Sequence, residues 1–336
     1  MSYVIGVDGG ASKTHALIVD RTGKFMGFGA AGTGNHQSRG LEKAVFEIRT
    51  AVTQALHQAD LDSENATSKA GTACFCLAGA DLKADYIMLQ EAMESLDVAQ
   101  KVVIKNDTMA ALRAGLTHSW GVVIICGTGF NAAARGPDGR EIVLPGLGAT
   151  SGDWGGGWAL SQEVIRHVMR AWDGRGQPTT LTQAVLKEFD LPSEEALLET
   201  LYHHKIDSKR LHQLVPLLFR VADQGDPVAR RILISLGIEV GVTANALIRR
   251  LEMQDLEVEV ILAGGVFKGQ GTLLIDTARE KIREEAPKAI IRRQHYEPVV
   301  GAALLALEAS GADMDANLLE TLDETLPDSL KLREKA

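Results

Sequence analysis

The sequence predicts an α/β protein with two similar halves, each built on a mixed β-sheet flanked by helices. Two observations lead to this prediction. Three short strands, joined first by a glycine-rich turn and then by a turn containing glycine and a basic residue, occur near the start of the chain and again at 121–144. Helical spacing and short apolar runs alternate after each copy. A recurring supersecondary unit indicates two related halves, and strands joined through helices are typical of α/β sheets.

The length and composition narrow the class of protein. The chain has 336 residues, of which 45% are hydrophobic and 24% charged, as in ordinary globular proteins of about two domains. The net charge is −9 and no basic run is present, so neither nucleic acid nor an anionic membrane is an expected partner. No apolar run approaches the ~18 residues of a membrane span, and we expect no signal peptide. We therefore expect a cytoplasmic protein with reduced cysteines.

The residue patterns place the individual elements in chain order. The predicted strands of the first half lie at 3–7, 15–20, about 25–29, 73–77 and 101–105, and its helices at 38–59, 82–95 and 108–116. The predicted strands of the second half lie at 121–126, 131–135, about 141–144, 257–262 and 288–292, and its helices at about 158–172, within 181–250, at 271–285 and at 299–309.

These elements suggest where the domains begin and end. We expect an N-terminal domain at 1–117 and a C-terminal domain at 118–297, with a helical insertion at about 158–250. A helix at 298–310 is expected to pack back on the N-terminal domain. The segment 311–336 is polar and acidic, which is typical of a surface helix or a loose tail.

The first glycine turn carries groups suited to a phosphate tail. Asp8 ends a strand, and the turn that follows contains Gly9, Gly10, Ser12, Lys13 and Thr14. Glycines permit close approach of the backbone, hydroxyls and an ammonium can donate to phosphate oxygens, and a carboxylate can serve Mg²⁺. The residues after Thr14 continue as a strand, so neither a Walker loop nor a dinucleotide fingerprint is present. An ordinary glycine hairpin is the alternative.

Two further glycine turns follow predicted strands. Gly127, Thr128 and Gly129 occupy the equivalent turn of the second half, and Gly264 and Gly265 follow a later strand. Two hydroxyl-bearing turns could hold a triphosphate from two sides, while the third turn could pack against a base and ribose. A single glycine turn is weak evidence, whereas three in a duplicated frame favour a nucleotide site.

Asp107 is the candidate general base. It follows the strand at 101–105, at the kind of strand end where ligand sites form in α/β sheets. Phosphoryl transfer to a hydroxyl requires a carboxylate that orients the acceptor and takes its proton. The alternative is that Asp107 only caps the helix that follows, a role that stabilises by about 1 kcal/mol.

Short polar side chains in glycine loops are candidates for binding a polar small molecule. Asn35 and His36 lie in one such loop and Asp153 in another. Loop residues of this type suit the hydroxyls of a sugar-like ligand. Asn and Asp are also common in turns for conformational reasons, which leaves a purely structural role open for each of them.

Taken together, these motifs resemble the BadF/BadG/BcrA/BcrD ATPase family, and within it the N-acetylglucosamine kinase branch of the sugar kinase/Hsp70/actin superfamily. The resemblance covers about residues 3–308. Its motifs in this chain are Gly6–Thr14, Gly34–His36, Lys105–Asp107, Gly127–Gly129, Gly152–Asp153 and Ala263–Gly265. It implies two ribonuclease H-like (actin-like ATPase) domains with mixed five-stranded sheets and a cleft between them.

The resemblance also implies a reaction and a role for each residue. ATP would phosphorylate an amino sugar, most simply N-acetylglucosamine at its 6-hydroxyl, with Asp107 as base. Asp8 would serve Mg²⁺, through water, while Ser12, Lys13, Thr14 and Thr128 meet the phosphates and Gly264 and Gly265 border the adenosine. The sugar would lie against Asn35, His36, Gly79, Asp107, Gly146, Leu147 and Asp153. A homodimer is a family-level expectation.

Departures from the animal N-acetylglucosamine kinase pattern surround the sugar pocket. Gln37 stands where an aromatic residue is expected, Leu147 where a Trp is expected, and Trp154 begins a Trp-Gly-Gly-Gly run in place of Glu-Gly-Ser. These differences leave the phosphate turns unchanged. Glucosamine, glucose and N-acetylmuramate therefore remain alternative substrates.

Two other classes of function are also open. The first is an activator-type ATPase, whose relatives carry an iron–sulfur cluster. We expect Cys74 and Cys76 to point to opposite faces of their strand, and neither follows a glycine-rich loop, which argues against a cluster. The second is a sugar-sensing or chaperone-like nucleotide module without kinase activity, against which the Asp8, Asp107 and Asp153 set argues.

Overall fold

The computed structural model describes residues 3–61 and 69–332. It is an α/β structure with two five-stranded sheets flanked by helices. The strands are β1 Tyr3–Gly9, β2 Thr14–Asp20, β3 Phe25–Ala31, β4 Ala70–Leu77, β5 Ala99–Asn106, β6 Gly121–Cys126, β7 Phe130–Arg135, β8 Glu141–Val143, β9 Glu259–Ala263 and β10 Ile290–Arg293.

The α-helices follow the predicted order, with the long predicted helical region divided into five. They are α1 His36–Arg39, α2 Leu41–Gln58, α3 Lys83–Glu94, α4 Asp107–Gly115, α5 Gly156–Trp172, α6 Leu181–Phe189, α7 Glu194–Tyr202, α8 Ser208–His212, α9 Leu214–Asp223, α10 Pro227–Arg250, α11 Leu273–Arg283, α12 Pro298–Ala309 and α13 Ala316–Thr325.

The two sheets have the same strand order, as the internal repeat predicts. The first runs β3-β2-β1-β4-β5, and the second runs β10-β9-β6-β7-β8, which is the equivalent order written from the other edge. In the first sheet β1 is antiparallel to β2 and parallel to β4, and β4 is parallel to β5. The first sheet is therefore an antiparallel meander extended by strands that arrive through helices, and in the second sheet β7 and β8 are likewise antiparallel. The predicted α/β fold of two similar halves is confirmed.

The chain divides into two compact units. Unit 1 comprises the described residues of Met1–Val123, Ala133–Val143 and Arg292–Ala336, and unit 2 comprises Ile124–Ala132 and Leu144–Ile291. One face of the first sheet forms an apolar core with α2 and α3, represented by Ile5, Phe75, Ile48 and Met93. Alternate residues of β1 and β4 supply this face because side chains alternate along a strand.

The other face of the first sheet is covered by α12 and α4. A Cβ on Gly6 would lie 2.2 Å from the nitrogen of Ala303, and one on Gly301 would lie 2.0 Å from the carbonyl oxygen of Ala110. Glycine at these two positions lets α12 contact the backbone of β1 and of α4 directly. A late segment of the chain thus completes the core of unit 1.

The segment expected to be a polar tail contains regular structure. Helix α13 is capped by the Asp315 side chain, which accepts a hydrogen bond from the Leu318 nitrogen. Leu318, Leu322, Leu326 and Leu330 are buried. The acidic residues between these leucines dominate the composition of the segment, but the leucines recur every four residues and form an apolar stripe.

Helix α10 is long and apolar enough, by length and composition alone, to cross a membrane. The sequence prediction of no span depends on the lack of an uninterrupted apolar run, and Glu239 interrupts the apolar run within this continuous helix. The most apolar window of α10 is 61% buried in the protein. Gly237 and Gly241 bring α10 close to Thr277 and Lys281 of α11. These contacts are those of a helix in a protein core.

One expectation about the cysteines is wrong. The Sγ atoms of Cys74 and Cys76 lie 3.9 Å apart, on the same face of β4. Residues separated by one position in a strand share a face, because side chains alternate with a period of two. Both thiols are buried, and burial raises the pKa of Cys76 well above its ordinary value, so it is held as an unreactive thiol.

Candidate functional site

The first glycine turn lies between β1 and β2 in unit 1. It is closed by a hydrogen bond from the Gly10 nitrogen to the Lys13 carbonyl oxygen, 2.9 Å. Ser12 and Lys13 are exposed, as phosphate donors would be. Thr14 differs from its predicted role, because it is fully buried at the start of β2. Its hydroxyl has no hydrogen-bond partner and lies against Gly34, where an added Cβ would be 2.8 Å away.

Two loops from other strand ends pack against this turn. The Thr33 hydroxyl donates to the Gly10 carbonyl oxygen at 3.1 Å, and the Ala78 nitrogen donates to the Gly9 carbonyl oxygen at 2.9 Å. A Cβ on Gly34 would lie 3.1 Å from the Gly9 Cα. The loop that carries Asn35 and the loop that carries Gly79 are therefore attached to the Asp8–Thr14 turn. Carboxyl ends of parallel strands commonly gather loops in this way.

Asp8 is a buried carboxylate with little compensation. Its side chain lies on β1, and the residue is 7% exposed. Burial, followed by the charge of Asp107, raises the pKa of Asp8 to about 8, although Lys13 acts in the opposite direction. Lys13 itself is paired with Glu297 at 3.3 Å, just before helix α12. The surroundings of Asp8 thus favour the arrival of a further positive charge.

Asp107 is not the N-cap of the helix that follows it, a role that the sequence alone leaves open. The N-cap of α4 is Asn106, whose Oδ1 accepts hydrogen bonds from the Thr108 nitrogen at 3.0 Å and the Thr108 hydroxyl at 2.6 Å. Asp107 is the first residue of the helix and is partly buried. Burial and the nearby charge of Asp81 raise the pKa of Asp107 to about 6. A carboxylate with this pKa is suited to accept a proton near neutral pH.

Asp81 is a site residue that the sequence reasoning missed. Its carboxylate accepts hydrogen bonds from Asn106 Nδ2 at 2.9 Å and Gln37 Nε2 at 3.3 Å. Burial is the main cause that raises the pKa of Asp81. It therefore connects the strand end before Asp107 with the loop after Asn35. A weaker signal was available, because Asp81 lies in the loop after β4, four residues beyond the end of that strand, whereas Asp107 directly follows β5.

Asn35, His36 and Gly79 meet in the same cluster. Asn35 caps the short helix α1, with its Oδ1 accepting from the Gln37 nitrogen at 2.8 Å, so its amide nitrogen is the group left for a ligand. A Cβ on Gly79 would lie 2.9 Å from His36 Cε1. His36 Nε2 lies 3.7 Å from Asp85 Oδ1, and His36 Nδ1 is buried without a partner. Unit 1 thus unites the predicted base and three predicted sugar-loop residues.

The second glycine turn, in unit 2, is built differently. The Gly157 nitrogen donates to the Gly127 carbonyl oxygen at 2.8 Å, and the Trp158 nitrogen donates to the Thr128 carbonyl oxygen at 3.0 Å. The amino end of α5 therefore holds the carbonyl side of this turn. Thr128 and Gly129 are exposed. A Cβ on Gly127 or Gly129 would meet nothing within 4 Å, so these glycines leave open space beside the turn.

The third glycine turn contacts the second. Gly264 has a φ of +102°, and a Cβ there would lie 2.4 Å from the Cys126 carbonyl oxygen and 2.9 Å from the Gly127 nitrogen. Gly265 begins a 3₁₀ turn, and a Cβ on it would meet nothing within 4 Å. Gly264 is required by close packing, whereas Gly265 faces open space. The structure brings Gly127–Gly129 and Gly264–Gly265 together in unit 2.

Gly146, Leu147 and Asp153 form a compact loop in unit 2. The Ser151 hydroxyl donates to Asp153 Oδ2 at 2.5 Å and accepts from the Leu147 nitrogen at 2.8 Å. Gly146 adopts a φ of +65°, and a Cβ there would lie 2.5 Å from Asn131 Nδ2. Leu147 is 55% exposed. Glu239 of α10 was not predicted, yet burial and the charge of Asp153 raise its pKa, which places a second carboxylate near this loop.

The residues present fit a cation held jointly with a ligand. Among residues 3–61 and 69–332, no group of three or more His, Cys, Asp or Glu side chains is arranged to hold a metal ion alone. Mg²⁺ usually takes one or two carboxylates and completes its shell with water and phosphates. A buried Asp8 with a raised pKa, close to Asp107, supplies that kind of donor.

Comparison with known families decides the family of this chain. The model of the BadF/BadG/BcrA/BcrD ATPase family matches residues 5–306. The chain belongs to the BadF/BadG/BcrA/BcrD ATPase family. Membership of an ATPase family implies the use of ATP.

Two relatives of this BadF-family chain are sugar kinases by name. The N-acetyl-D-glucosamine kinase of Dictyostelium discoideum is 31% identical over 91% of this chain and 98% of its own length. The N-acetylmuramic acid/N-acetylglucosamine kinase of Clostridium acetobutylicum is 28% identical over 91% of this chain and 98% of its own. The crystal structure of a ROK hexokinase from Thermus thermophilus has the same fold, with a TM-score of 0.57, 18% identity, and coverage of 92% of this chain and 99% of that chain.

Proposed function

We propose that this protein is an ATP-dependent amino sugar kinase and that N-acetylglucosamine is its preferred acceptor. The observation that carries the proposal is the carboxylate cluster of unit 1, in which a base candidate with a pKa of about 6 lies beside a buried Asp8 and a polar loop. Two named sugar kinases that align along 98% of their length support the substrate class.

Asp107 acts as the general base in this proposal. It accepts the proton of the sugar hydroxyl, which we assign to the 6-position, as that oxygen attacks the γ-phosphorus of ATP. The bond from this phosphorus to the oxygen that bridges the β- and γ-phosphates breaks, and ADP leaves. Asp81 and Asn106 fix the strand end next to Asp107 through the 2.9 Å hydrogen bond between them. A base placed in this way orients the acceptor and contributes about 10²–10⁴-fold to the rate.

The remaining residues of unit 1 bind substrate. The Asn35 amide and His36 hold sugar hydroxyls beside Gly79. Ser12 and Lys13, which are exposed, donate to the phosphates of ATP, and Gly9 and Gly10 keep the backbone near them. Thr14 supports the turn from within rather than contacting phosphate, because its hydroxyl is buried. Lys13 must leave Glu297 when it binds phosphate.

The residues of unit 2 bind the nucleotide and part of the sugar. The open space beside Gly127 and Gly129 admits phosphate oxygens close to the backbone, with the Thr128 hydroxyl as donor. Gly265, which also faces open space, borders the adenosine. Asp153, oriented by Ser151, holds a sugar hydroxyl or the 2-substituent in the loop with Gly146 and Leu147.

Asp8 would hold Mg²⁺, directly or through water, together with the phosphates of ATP. When bound, the ion neutralises phosphate charge. The described residues do not form a complete metal cage of their own, which agrees with a site that the nucleotide completes. We also propose a cytoplasmic location, supported by three free, buried cysteines, and leave a homodimer as a family-level proposal.

The test of the proposal is a coupled assay of ADP release. Purified protein is supplied with ATP and Mg²⁺ and, in separate reactions, with N-acetylglucosamine, N-acetylmuramate, glucosamine, glucose or N-acetylmannosamine. We expect N-acetylglucosamine to give the highest kcat/KM. Stimulation by none of these sugars would contradict a sugar kinase, whereas stimulation by another sugar alone would keep the reaction and change the acceptor.

A further inference from the structure

A cavity in unit 1 has no part in the proposed reaction. It has a volume of about 970 Å³ and lies among the end of α4 with the loop after it, the turn between β7 and β8, and the segment that joins α12 to α13. None of the residues proposed to bind the sugar or the nucleotide lines this cavity. Its charged lining residues are Lys105, Arg113, Arg135, Glu141 and Glu308.

These five side chains form one continuous network. Arg113 Nε donates to Glu308 Oε1 at 2.6 Å, and Arg135 Nη1 donates to Glu308 Oε2 at 2.8 Å. Arg135 Nη2 and Nε donate to Glu141 Oε1 at 2.8 and 3.0 Å, and Lys105 Nζ donates to Glu141 Oε2 at 2.5 Å. Both carboxylates are thus bound on both oxygens.

The network contains more positive than negative charge. Three cationic side chains share two carboxylates, so the lining carries one unbalanced positive charge. Burial acts to raise the pKa of Glu141, but the hydrogen bonds and charges of Lys105 and Arg135 outweigh it and hold that pKa below its ordinary value. Glu141 is therefore ionised at neutral pH, so the excess positive charge of the network is not enlarged by protonation of this carboxylate.

An unbalanced charge is costly where the side chains are withdrawn from water. The Arg113 side chain is only 5% exposed, and those of Arg135 and Lys105 are 16% and 25% exposed. A buried charge is destabilising unless a counter-charge is present. The cavity wall is where such a counter-charge can enter.

The rest of the wall suits an anion that carries a ring. Trp120 and His118 line the cavity with ring centroids 6.0 Å apart, and Thr117 and Ser119 also line it. Guanidinium and ammonium groups bind phosphate oxygens well, and an aromatic wall can pack against an attached ring.

We propose that this cavity is a binding site for a small phosphate ester, with Lys105 and Arg113 supplying the charge and Trp120 packing against the organic part. Lys105 lies on β5, two residues before Asp107. Arg113 lies on α4, the helix whose first residue is Asp107. A ligand here is therefore connected to the proposed base through one strand and one helix. The part of the proposal that concerns turnover rests on the proposed function, whereas binding does not.

The test measures binding of inorganic phosphate and of N-acetylglucosamine 6-phosphate, with acetate and chloride at matched ionic strength as control anions. In the wild type we expect both phosphates at tenfold excess over Kd to raise Tm by about 2 °C and to change tryptophan fluorescence. Lys105→Met removes the excess charge while Glu141 keeps Arg135, and we expect at least ~10-fold weaker binding. Lys105→Arg should restore it.

Two controls locate the site. Arg140→Gln removes an exposed arginine from the same β7–β8 turn but outside the cavity lining, and binding should be unchanged. Trp120→Phe should abolish the fluorescence change while keeping the rise in Tm, which tests the location even if a Lys105 variant is poorly folded. Three results would each overturn the proposal. The first is that wild type and Lys105→Met bind phosphate equally well, and the second is that the fluorescence change persists in Trp120→Phe. The third is that the wild type binds acetate as well as it binds phosphate. A phosphate effect without sugar kinase activity would leave the site standing and remove only its link to Asp107.

Discussion

The two glycine turns of this protein occupy equivalent positions in two sheets of the same strand order, yet their surroundings differ. The turn after β1 is covered by neighbouring loops, and its threonine is buried. The carbonyl oxygens of the turn after β6 accept hydrogen bonds from the start of α5, and the turn faces open space at Gly127 and Gly129. A duplicated frame therefore does not imply the same packing around each copy. The first copy gathers carboxylates and loops, while the second exposes backbone.

Of the substitutions proposed here, Asp107→Asn should have the largest effect on activity. We expect kcat to fall by at least ~10²-fold, because the amide cannot accept the sugar proton, while ATP binding to the unaltered turn of unit 2 is kept. Steady-state kinetics and nucleotide titration measure the two quantities. Near-wild-type turnover would remove Asp107 as the base, and a parallel loss of ATP affinity would remove the separation between the two regions.

Gly127→Ala and Gly9→Ala compare the two turns directly. A Cβ on Gly127 meets nothing within 4 Å, whereas one on Gly9 would lie 2.6 Å from Leu77 Cδ2 in the core. We expect Gly127→Ala to weaken ATP binding by about 10-fold, an estimate from the cost of one disturbed charged hydrogen bond, with little change in stability. Gly9→Ala should lower the free energy of unfolding by about 1 kcal/mol.

Chemical denaturation with nucleotide titration provides the measurement for both variants. Thr128→Ala is the matched control for Gly127→Ala, because it removes the proposed hydroxyl donor of the same turn while Gly127 and Gly129 are kept. If Gly127→Ala leaves ATP affinity unchanged, the open space beside the second turn has another purpose.

The pH dependence should reveal the carboxylates of the first region. A pKa of about 8 for Asp8 and about 6 for Asp107 lies above that of an unfolded aspartate, so the folded state binds protons more tightly. Their contribution to stability is complete below about pH 4 and is lost as pH rises through 6 and 8, by at most about 1.4 kcal/mol per pH unit for each group. In metal-free protein, Asp8→Asn should flatten this dependence, as measured by urea denaturation from pH 5 to 8.

The same shift predicts how activity varies with pH. The base must be ionised, so kcat/KM should rise with pH through an apparent pKa of about 6 and then level off. Asp81→Asn removes the charge that helps to raise this pKa, and the rise should move to lower pH. An unchanged profile in that variant would show that Asp81 has only a structural role.

Glu297→Gln should have the smallest effect. It releases Lys13 from a partly exposed ion pair at 3.3 Å. Such pairs contribute little, about 0–1 kcal/mol, so we expect KM for ATP to fall by no more than ~5-fold and Tm to change little. A rise in KM would mean that Glu297 orients Lys13 for the phosphate instead of competing with it.

Much of this architecture could be predicted from local patterns. The strand boundaries, the repeat and the strand-end positions of Asp8 and Asp107 follow from apolar runs and turn residues that act over a few positions. The pairing of Asp81 with Asn106, and the burial of Thr14 under Gly34, depend on loops brought together from separate strands. Sequence spacing does not encode such contacts. The cavity beside Arg113 was also missed, because its lining residues come from three separate segments, within 105–120, 135–141 and 308–319.

The packing of Gly301 on Ala110 and of Gly6 on Ala303 has a consequence for biosynthesis. The strands of the first sheet are synthesised before unit 2, but α12, which packs on the second face of this sheet, is synthesised after unit 2. Until then, α4 is the only one of the two covering helices on that face, and the missing contacts with α12 link residues that are far apart in the chain. Unit 1 therefore cannot complete its fold until residues 298–309 have been synthesised, and its folding is expected to be slow for its size. A nascent chain stalled before residue 298 would be a client for chaperones.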